Sequence, residues 1–135
     1  MVKIIVMNVI LAIHFFSPFH QDPMLQESMK RGKVVYDDFC VTCHRSNGKG
    51  FGKLYPPLAE SDFLVKNRNQ SIRAVKYGME GEIEVNGQRY NKKMAPLGLS
   101  DEEVVDVINY IFNSWGNVSD TLVTLEKVVS ITQEN

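Results

Sequence analysis

Only two cysteines and three histidines occur in the 135 residues of this chain. That scarcity narrows the metal chemistry open to it. A structural zinc ion takes four ligands in a tetrahedron. Cys40, Cys43 and His44 supply three, and the remaining histidines, His14 and His20, stand in or beside the apolar N-terminus. An excess of one charge is also missing. Fifteen Lys and Arg against sixteen Asp and Glu leave a formal net charge of −1, without the basic surplus that normally accompanies nucleic-acid binding. No apolar run reaches the length of about 20 residues that a membrane span requires. Internal repeats and low-complexity tracts are absent as well. What is present is a 44% hydrophobic, 23% charged chain of one-domain length, an ordinary globular composition able to bury a small core.

The longest apolar run, Ile4 to Phe16, is broken only by Asn8 and His14 and is preceded by Lys3. Its length and charge order are those of a signal-peptide core, and the polar "HQDP" separates it from the next element. Residues 1–20 are therefore expected to be a signal peptide or N-terminal anchor, and residues 21–135 the functional domain. "SPFHQDP" has no clear A-x-A cleavage pattern, so a cleaved and a retained leader both stand. No cysteine comes after the run to carry a lipid there.

Helical periodicity predicts a helix of roughly three turns over "MLQESMKRGKVVYDDFC", with Val35, Tyr36 and Phe39 on its apolar face. Gly32 inside it costs about 1 kcal/mol relative to Ala and marks a place where another helix can come close. Gly48, Gly50, Gly52, Pro56 and Pro57 make the stretch from Arg45 to Asp62 a loop. "NQSIRAVKYG" reads as a short helix capped by Asn69, with Ile72, Ala74 and Val75 inward and Gly78 as its stop. Asn86-Gly87 in "EIEVNGQRYN" is a strong hairpin signal. "SDEEVVDVINYIFNSWG" is the clearest helix. Ser100 and Glu103 form a capping box, acidic residues fill the first turn, Val104, Ile108, Ile111 and Trp115 form the buried stripe, and Gly116 ends it. The tail "VTLEKVVSI" adds a turn or two with Thr124 as cap.

Against this background the segment "CVTCH", residues 40–44, uses both thiols two residues apart and ends on an imidazole. A thiol–disulfide redox pair normally sits in a βαβ context at a helix N-terminus, whereas here the motif ends a helix. Covalent c-type haem accounts for every residue: C-x-x-C-H is its attachment pattern. The cysteines become thioethers on the haem vinyl groups, and the next residue's imidazole reaches the iron, which makes His44 the proximal ligand. Alkylated thiols also cannot oxidise in an exported protein.

The chain resembles the class I (mono-haem) cytochrome c family over about residues 30 to 116, in the branch that includes cytochrome domains of bacterial respiratory oxidases and nitrite reductases. The resemblance is carried by Gly32 before the haem motif, by Pro56-Pro57-Leu58 twelve residues past the histidine, and by Met94 in a loop ahead of the last strong helix. Many relatives read Met-Pro where this chain reads Met94-Ala95-Pro96. The resemblance implies an all-α cytochrome c fold, three to five helices around one covalent haem with a small hairpin insert. It implies that the Pro56 carbonyl orients His44, where turn chemistry alone would read loop stiffening. It also implies that Met94 is the sixth ligand, with Met79 the competitor or a packing residue. Cys40, Cys43, His44, Pro56, Leu58 and Met94 are thus the expected cofactor contacts, with His44 and Met94 on the iron. Some of Tyr36, Leu58, Ile72, Ile108 and Ile111 line the haem, and Trp115 is either a helix-end core residue or a propionate partner.

The implied function is one-electron transfer in a respiratory chain, without catalysis, in the bacterial periplasm. Its partners are a redox donor and acceptor; no nucleic acid is expected, and a membrane only through a respiratory complex or an uncleaved leader. Lys49, Lys53, Lys92 and Lys93 are either solvated loop charges or a docking rim around the haem edge. A bound subunit of a membrane oxidase or reductase is the alternative. A haem enzyme with an open iron site is disfavoured because, past the leader, His44 has no second histidine to act with.

Overall fold

A computed structural model of the chain describes residues 22–133. The expected leader over residues 1–20, with His14 and His20, lies outside the described residues. The described chain forms six helices and one hairpin: α1 (Pro23–Phe39), α2 (Val41–His44), α3 (Asp62–Lys66), α4 (Arg68–Tyr77), β1 (Ile83–Val85), β2 (Gln88–Tyr90), α5 (Asp101–Ile111) and α6 (Leu125–Ser130). The helical architecture with a small hairpin agrees with expectation. Six segments exceed the expected three to five because α2, α3 and α6 are only 4, 5 and 6 residues long.

α1 runs for 17 residues, longer than the three turns its apolar pattern predicts. Its start is set locally: the Asp22 side chain accepts from the Met24 N–H at 2.9 Å, and Pro23 occupies the first turn, where its missing N–H costs nothing. Tyr36 is fully buried, but Phe39, expected on the same face, is 46% exposed. It lies at the mouth of a cavity that His44 also lines.

α1 packs mainly on α5, and Gly32 sits at the crossing. A Cβ there would stand 1.9 Å from the Asp106 carbonyl oxygen and 2.9 Å from Tyr110 Cβ. Polar groups flank the crossing. Asp106 accepts from Ser28 Oγ at 2.6 Å and from the Arg31 guanidinium at 2.6 and 2.8 Å. Asn109 Nδ2 donates to Ser28 Oγ and to the Val123 carbonyl, each at 3.0 Å. Bonding to Asp106 also raises the Arg31 pKa above its ordinary value.

Local chemistry sets the other boundaries. α3 was not legible as a helix, being a single turn started by Ser61 Oγ, which accepts from Leu64 N. The N-cap of α4 is Asn67, not Asn69, because the break between α3 and α4 falls there at φ −126°, ψ 48°. The capping box of Ser100 and Glu103 opens α5 as expected. The helix ends at Ile111 rather than Gly116. Ser114 Oγ and Asn113 Nδ2 donate back to the Tyr110 and Asn109 carbonyls at 2.6 and 2.9 Å, a competition that bends the chain out of the helix. Trp115 therefore leaves the helix at φ +52°. Its ring packs against Tyr36 and Tyr110 with centroids 4.9 and 5.3 Å away.

The hairpin pairs Ile83 with Tyr90 and Val85 with Gln88, turning on Asn86 and Gly87 at φ +50° and +78°. Both turn residues lie in the left-handed region, as a tight hairpin turn requires. The turn is tied to α3: Asp62 N–H donates to Asn86 Oδ1 at 2.9 Å and Asn86 N–H donates to Asp62 Oδ1 at 2.7 Å. Those bonds, with the Lys66 ammonium, hold the Asp62 carboxyl below its ordinary pKa.

Replacing a mid-helix glycine by alanine ordinarily stabilises a helix by about 1 kcal/mol. Gly32→Ala is expected to reverse that sign, because the new methyl meets backbone that cannot step aside. Overpacking of this kind costs about 1–3 kcal/mol. Denaturant unfolding of the two holoproteins reads the sign directly; an alanine variant as stable as the parent overturns the close-crossing argument.

Candidate functional site

The last turn of α1 passes into α2 with the Cys40 N–H donating to the Tyr36 carbonyl at 2.9 Å and the His44 N–H to the Cys40 carbonyl at 2.9 Å. One helical turn therefore carries Cys40, Cys43 and His44 at positions i, i+3 and i+4, which share a face. No disulfide joins the two sulfurs. Burial pushes the Cys40 thiol up to about 12, the opposite of the depressed pKa that activates a redox cysteine. Among the described residues no group of three or more His, Cys, Asp and Glu side chains gathers into a metal cage.

The loop after α2 folds back to meet the imidazole. Gly50 N–H donates to the His44 carbonyl at 3.0 Å, Phe51 N–H to the Tyr55 carbonyl at 3.0 Å, and Leu58 N–H to the Gly48 carbonyl at 2.7 Å. These bonds hold the Pro56 carbonyl oxygen 3.0 Å from His44 Nδ1. A carbonyl can only accept, so Nδ1 carries the proton and Nε2 is left as the free ring nitrogen with a lone pair. Burial lowers the His44 pKa below its ordinary value, the Pro56 bond acting in the opposite direction. The ring is held neutral, the form that ligates a metal.

His44 lines two adjoining compartments. The larger, about 300 Å³, is bounded by Phe39, Cys40, Cys43, His44, Tyr55, Tyr90, Lys92 and Met94 among others. The smaller, about 80 Å³, reaches Leu58, Phe63, Val75, Val85, Ile108 and Ile111. Cys40, His44, Pro56, Met79, Ile83 and Met94 belong to both. A wide apolar slot with two thiols, one oriented imidazole and thioether sulfurs on its walls fits a flat, largely apolar, iron-centred macrocycle.

All the expected contacts, Cys40, Cys43, His44, Pro56, Leu58 and Met94, are gathered on this cavity. Of the core candidates, Leu58, Ile108 and Ile111 line it, whereas Tyr36 and Ile72 are buried away from it at 0% and 1% exposure. Met79 and Met94 face one another across an isolated antiparallel bridge, each N–H donating to the other's carbonyl at 2.8 Å. Met94 also packs on the main core cluster. The Trp115 N–H donates to the Ser46 carbonyl at 3.0 Å, so this ring serves the aromatic cluster and the loop after the motif. Sequence reasoning missed Phe39, Tyr55, Phe63, Ile83, Val85 and Tyr90 as cavity walls. The period-2 pattern of the hairpin, with Ile83, Val85 and Tyr90 turned inward, was the available signal. Lys92 and Lys93 stand at the mouth; Lys93 is ion-paired with Glu80 at 2.9 Å.

The sequence model of the cytochrome c family matches residues 29–115. Among known relatives, cytochrome c-552 of Thermus thermophilus is 40% identical over 91 residues, 64% of this chain and 69% of that protein. The cytochrome c subunit of an alcohol dehydrogenase (quinone) from Gluconacetobacter polyoxogenes is 29% identical over 104 residues, 74% of this chain and 22% of the subunit. Subunit FixP of the cbb3-type cytochrome c oxidase of Bradyrhizobium diazoefficiens is 29% identical over 97 residues, 67% of this chain and 32% of FixP. The chain thus spans about two thirds of the Thermus protein and a third or less of the other two.

The wall of this cavity is mostly apolar side chains, surface that an attached haem would cover and that water would otherwise wet. Replacing Cys40 and Cys43 together by Ala, so that haem is not attached, is expected to leave a chain with little stable helix. Far-UV circular dichroism tests this, and a cooperative, native-like melt without haem contradicts it.

Proposed function

The chain belongs to the cytochrome c family, and on that premise we propose that it carries single electrons with its haem iron held between the His44 imidazole and the Met94 thioether. Family membership makes it an electron carrier with covalently attached haem c. When bound, the haem supplies a ferric–ferrous couple that gains or loses one electron without any bond made to a substrate.

The residues divide the work. Cys40 and Cys43 fix the cofactor to the end of α1. The Pro56 carbonyl, 3.0 Å from Nδ1, sets the tautomer and orientation of His44, the kind of outer contact that tunes a metal-ligating histidine. That one contact is the observation that carries the reading. Met94 sits in the loop ahead of the Ser100-capped helix and packs on the core. Its soft sulfur favours ferrous iron and raises the potential relative to two imidazoles. Leu58, Ile108 and Ile111 form apolar walls that keep water from the iron.

We assign the chain no catalysis of its own. A haem enzyme needs an open iron position and a distal acid–base group. With Met94 as a ligand, the position that a haem enzyme leaves open would be filled. We place the protein outside the cytoplasm, in the bacterial periplasm, with residues 1–20 as the export leader and residues 21–135 as the haem domain.

Relatives that are subunits of dehydrogenase and oxidase complexes support a second reading, a cytochrome bound to a membrane complex. Lys49, Lys53, Lys92 and Lys93 are all exposed and suit a docking rim. Exposed charges are screened beyond about 8–10 Å at physiological ionic strength. Sedimentation of native membranes at low and high salt separates the cases. A free carrier docking through the rim co-sediments at low salt only, which is the expected outcome. Co-sedimentation at both salts identifies a bound subunit. A protein that stays in the supernatant at both salts removes the rim.

Met94→Ala is expected to lower the reduction potential, abolish the weak red charge-transfer band of ferric His/Met iron, and admit carbon monoxide to the ferrous protein. Met79→Leu, a volume-conserving swap costing under about 1.5 kcal/mol, is expected to leave all three unchanged. Spectra and potentiometry of the two variants check this; the opposite pattern transfers the ligand role to Met79.

A further inference from the structure

Residues past 115 lie outside the family match, yet they are built into the protein. Val123, Val128 and Ile131 are 4%, 0% and 6% exposed. Asn109 of α5 holds Val123 from both sides, accepting from its N–H at 2.9 Å and donating to its carbonyl at 3.0 Å. Helix α4 supplies four more donors to the backbone of this segment. At its start, the Arg68 guanidinium reaches the Thr121 carbonyl at 3.3 Å. Further along, Arg73 Nε reaches the Thr132 carbonyl at 3.1 Å, Lys76 Nζ the Val128 carbonyl at 3.0 Å, and Tyr77 Oη the Ile131 carbonyl at 3.1 Å.

The last two contacts fall at a corner that matters for the site. Tyr77 ends α4, and Gly78 comes next at φ +80°. A Cβ on Gly78 would stand 2.7 Å from the Met94 carbonyl oxygen. Met79 is the residue after it and pairs with Met94 by two backbone bonds of 2.8 Å. Lys76 is also ion-paired at 2.9 Å with Asp101, the first residue of α5 and the exit of the Met94 loop. The loop itself carries no helix or strand, and Lys92, Lys93, Ala95, Pro96 and Gly98 in it are exposed. It is held by the Met79 bridge and by the start of α5, and Lys76 and Tyr77 stand behind both.

We propose that residues 117–133 form a strap that positions the sixth iron ligand: by holding Lys76 and Tyr77, it fixes the corner of α4 from which Met79 presents the Met94 loop to the cavity. This rests on Met94 being the ligand. Lys76 and Tyr77 are positioning residues, because they act through the Met79–Met94 bridge and touch neither cavity compartment.

The test uses the full-length holoprotein. Tyr77→Phe removes only the hydroxyl that reaches Ile131. Lys76→Met removes the contacts to Val128 and Asp101 while keeping the apolar stem. Arg68→Gln loosens the strap at the far end of α4 and serves as the control. A single neutral hydrogen bond shifts a local opening equilibrium by about fivefold. Tyr77→Phe is expected to speed carbon monoxide binding to the ferrous protein by about that factor, Lys76→Met by more because it removes a charged donor and an ion pair, and both to weaken the red ferric band. Arg68→Gln is expected to lower the thermal midpoint with neither ligand readout moved. If Tyr77→Phe and Lys76→Met also lower the midpoint alone, the strap serves fold stability only and the proposal is overturned. Should Lys76→Met not fold, Tyr77→Phe decides by the same criterion. Met94→Ala is measured alongside. If it keeps the band and excludes carbon monoxide as the parent does, the ligand assignment fails, and the strap proposal with it. If it loses the band while the strap variants do not, only the strap proposal falls.

Discussion

The contact between the bare Cα of Gly32 and the Asp106 carbonyl is the constraint on which the rest of this structure depends. With no side chain at that point, α1 and α5 approach to backbone contact, and two helices that are distant in sequence become one rigid frame. The frame is locked beside the crossing by Ser28, Arg31 and Asn109 around Asp106. A buried carboxylate is costly without partners, and here it is satisfied from α1 by both a hydroxyl and a guanidinium. On the other side of the crossing, Tyr36, Tyr110 and Trp115 pack ring against ring. Tyr36 extends the frame into the next loop by donating its hydroxyl to the Arg45 carbonyl at 2.7 Å.

What this frame supports is a protein with much of its interior reserved for something other than protein. Two compartments of about 300 and 80 Å³ occupy the space between α2, the Pro56 loop, the hairpin and the Met94 loop. Their walls are regular where the frame supplies them and irregular elsewhere. A loop wall is an arrangement that needs external support, and each one has it. The Pro56 loop is pinned by Gly48 and Gly50, the hairpin turn by Asp62 of α3, and the Met94 loop by Met79. An attached cofactor would complete the core, which is why folding is expected to depend on haem attachment.

The two iron ligands of the proposed site are held in different ways, and the difference suits their chemistry. His44 is fixed on one turn of helix, between the thioether anchors and the Pro56 carbonyl, with few degrees of freedom left. Met94 hangs in an exposed loop whose restraint comes from a neighbouring segment. A soft thioether is the weaker partner, and the potential depends on keeping it in place. The packing of residues 117–133 against α4 gives that loop a second line of support, outside the stretch that the family model matches.

Much of the chemistry was decided locally and could be read from the sequence alone. The attachment motif is five consecutive residues whose spacing is set by covalent bonds. The Ser100–Glu103 capping box and the Asn86-Gly87 turn are bonds and dihedrals spanning four residues or fewer. The approach at Gly32 was legible because glycine inside a helix has a cost that calls for a reason. The tertiary structure alone decided the rest. It brought Met79 and Met94 side by side, gave the Trp115 N–H its acceptor at Ser46 69 residues away, and chose Phe39 and Phe63 as cavity walls. It also joined Ser28 to Asp106 across 78 residues and laid the C-terminal segment along α4. Such contacts leave no short-range signal, because they are selected by which surfaces can be buried together once the helices have crossed.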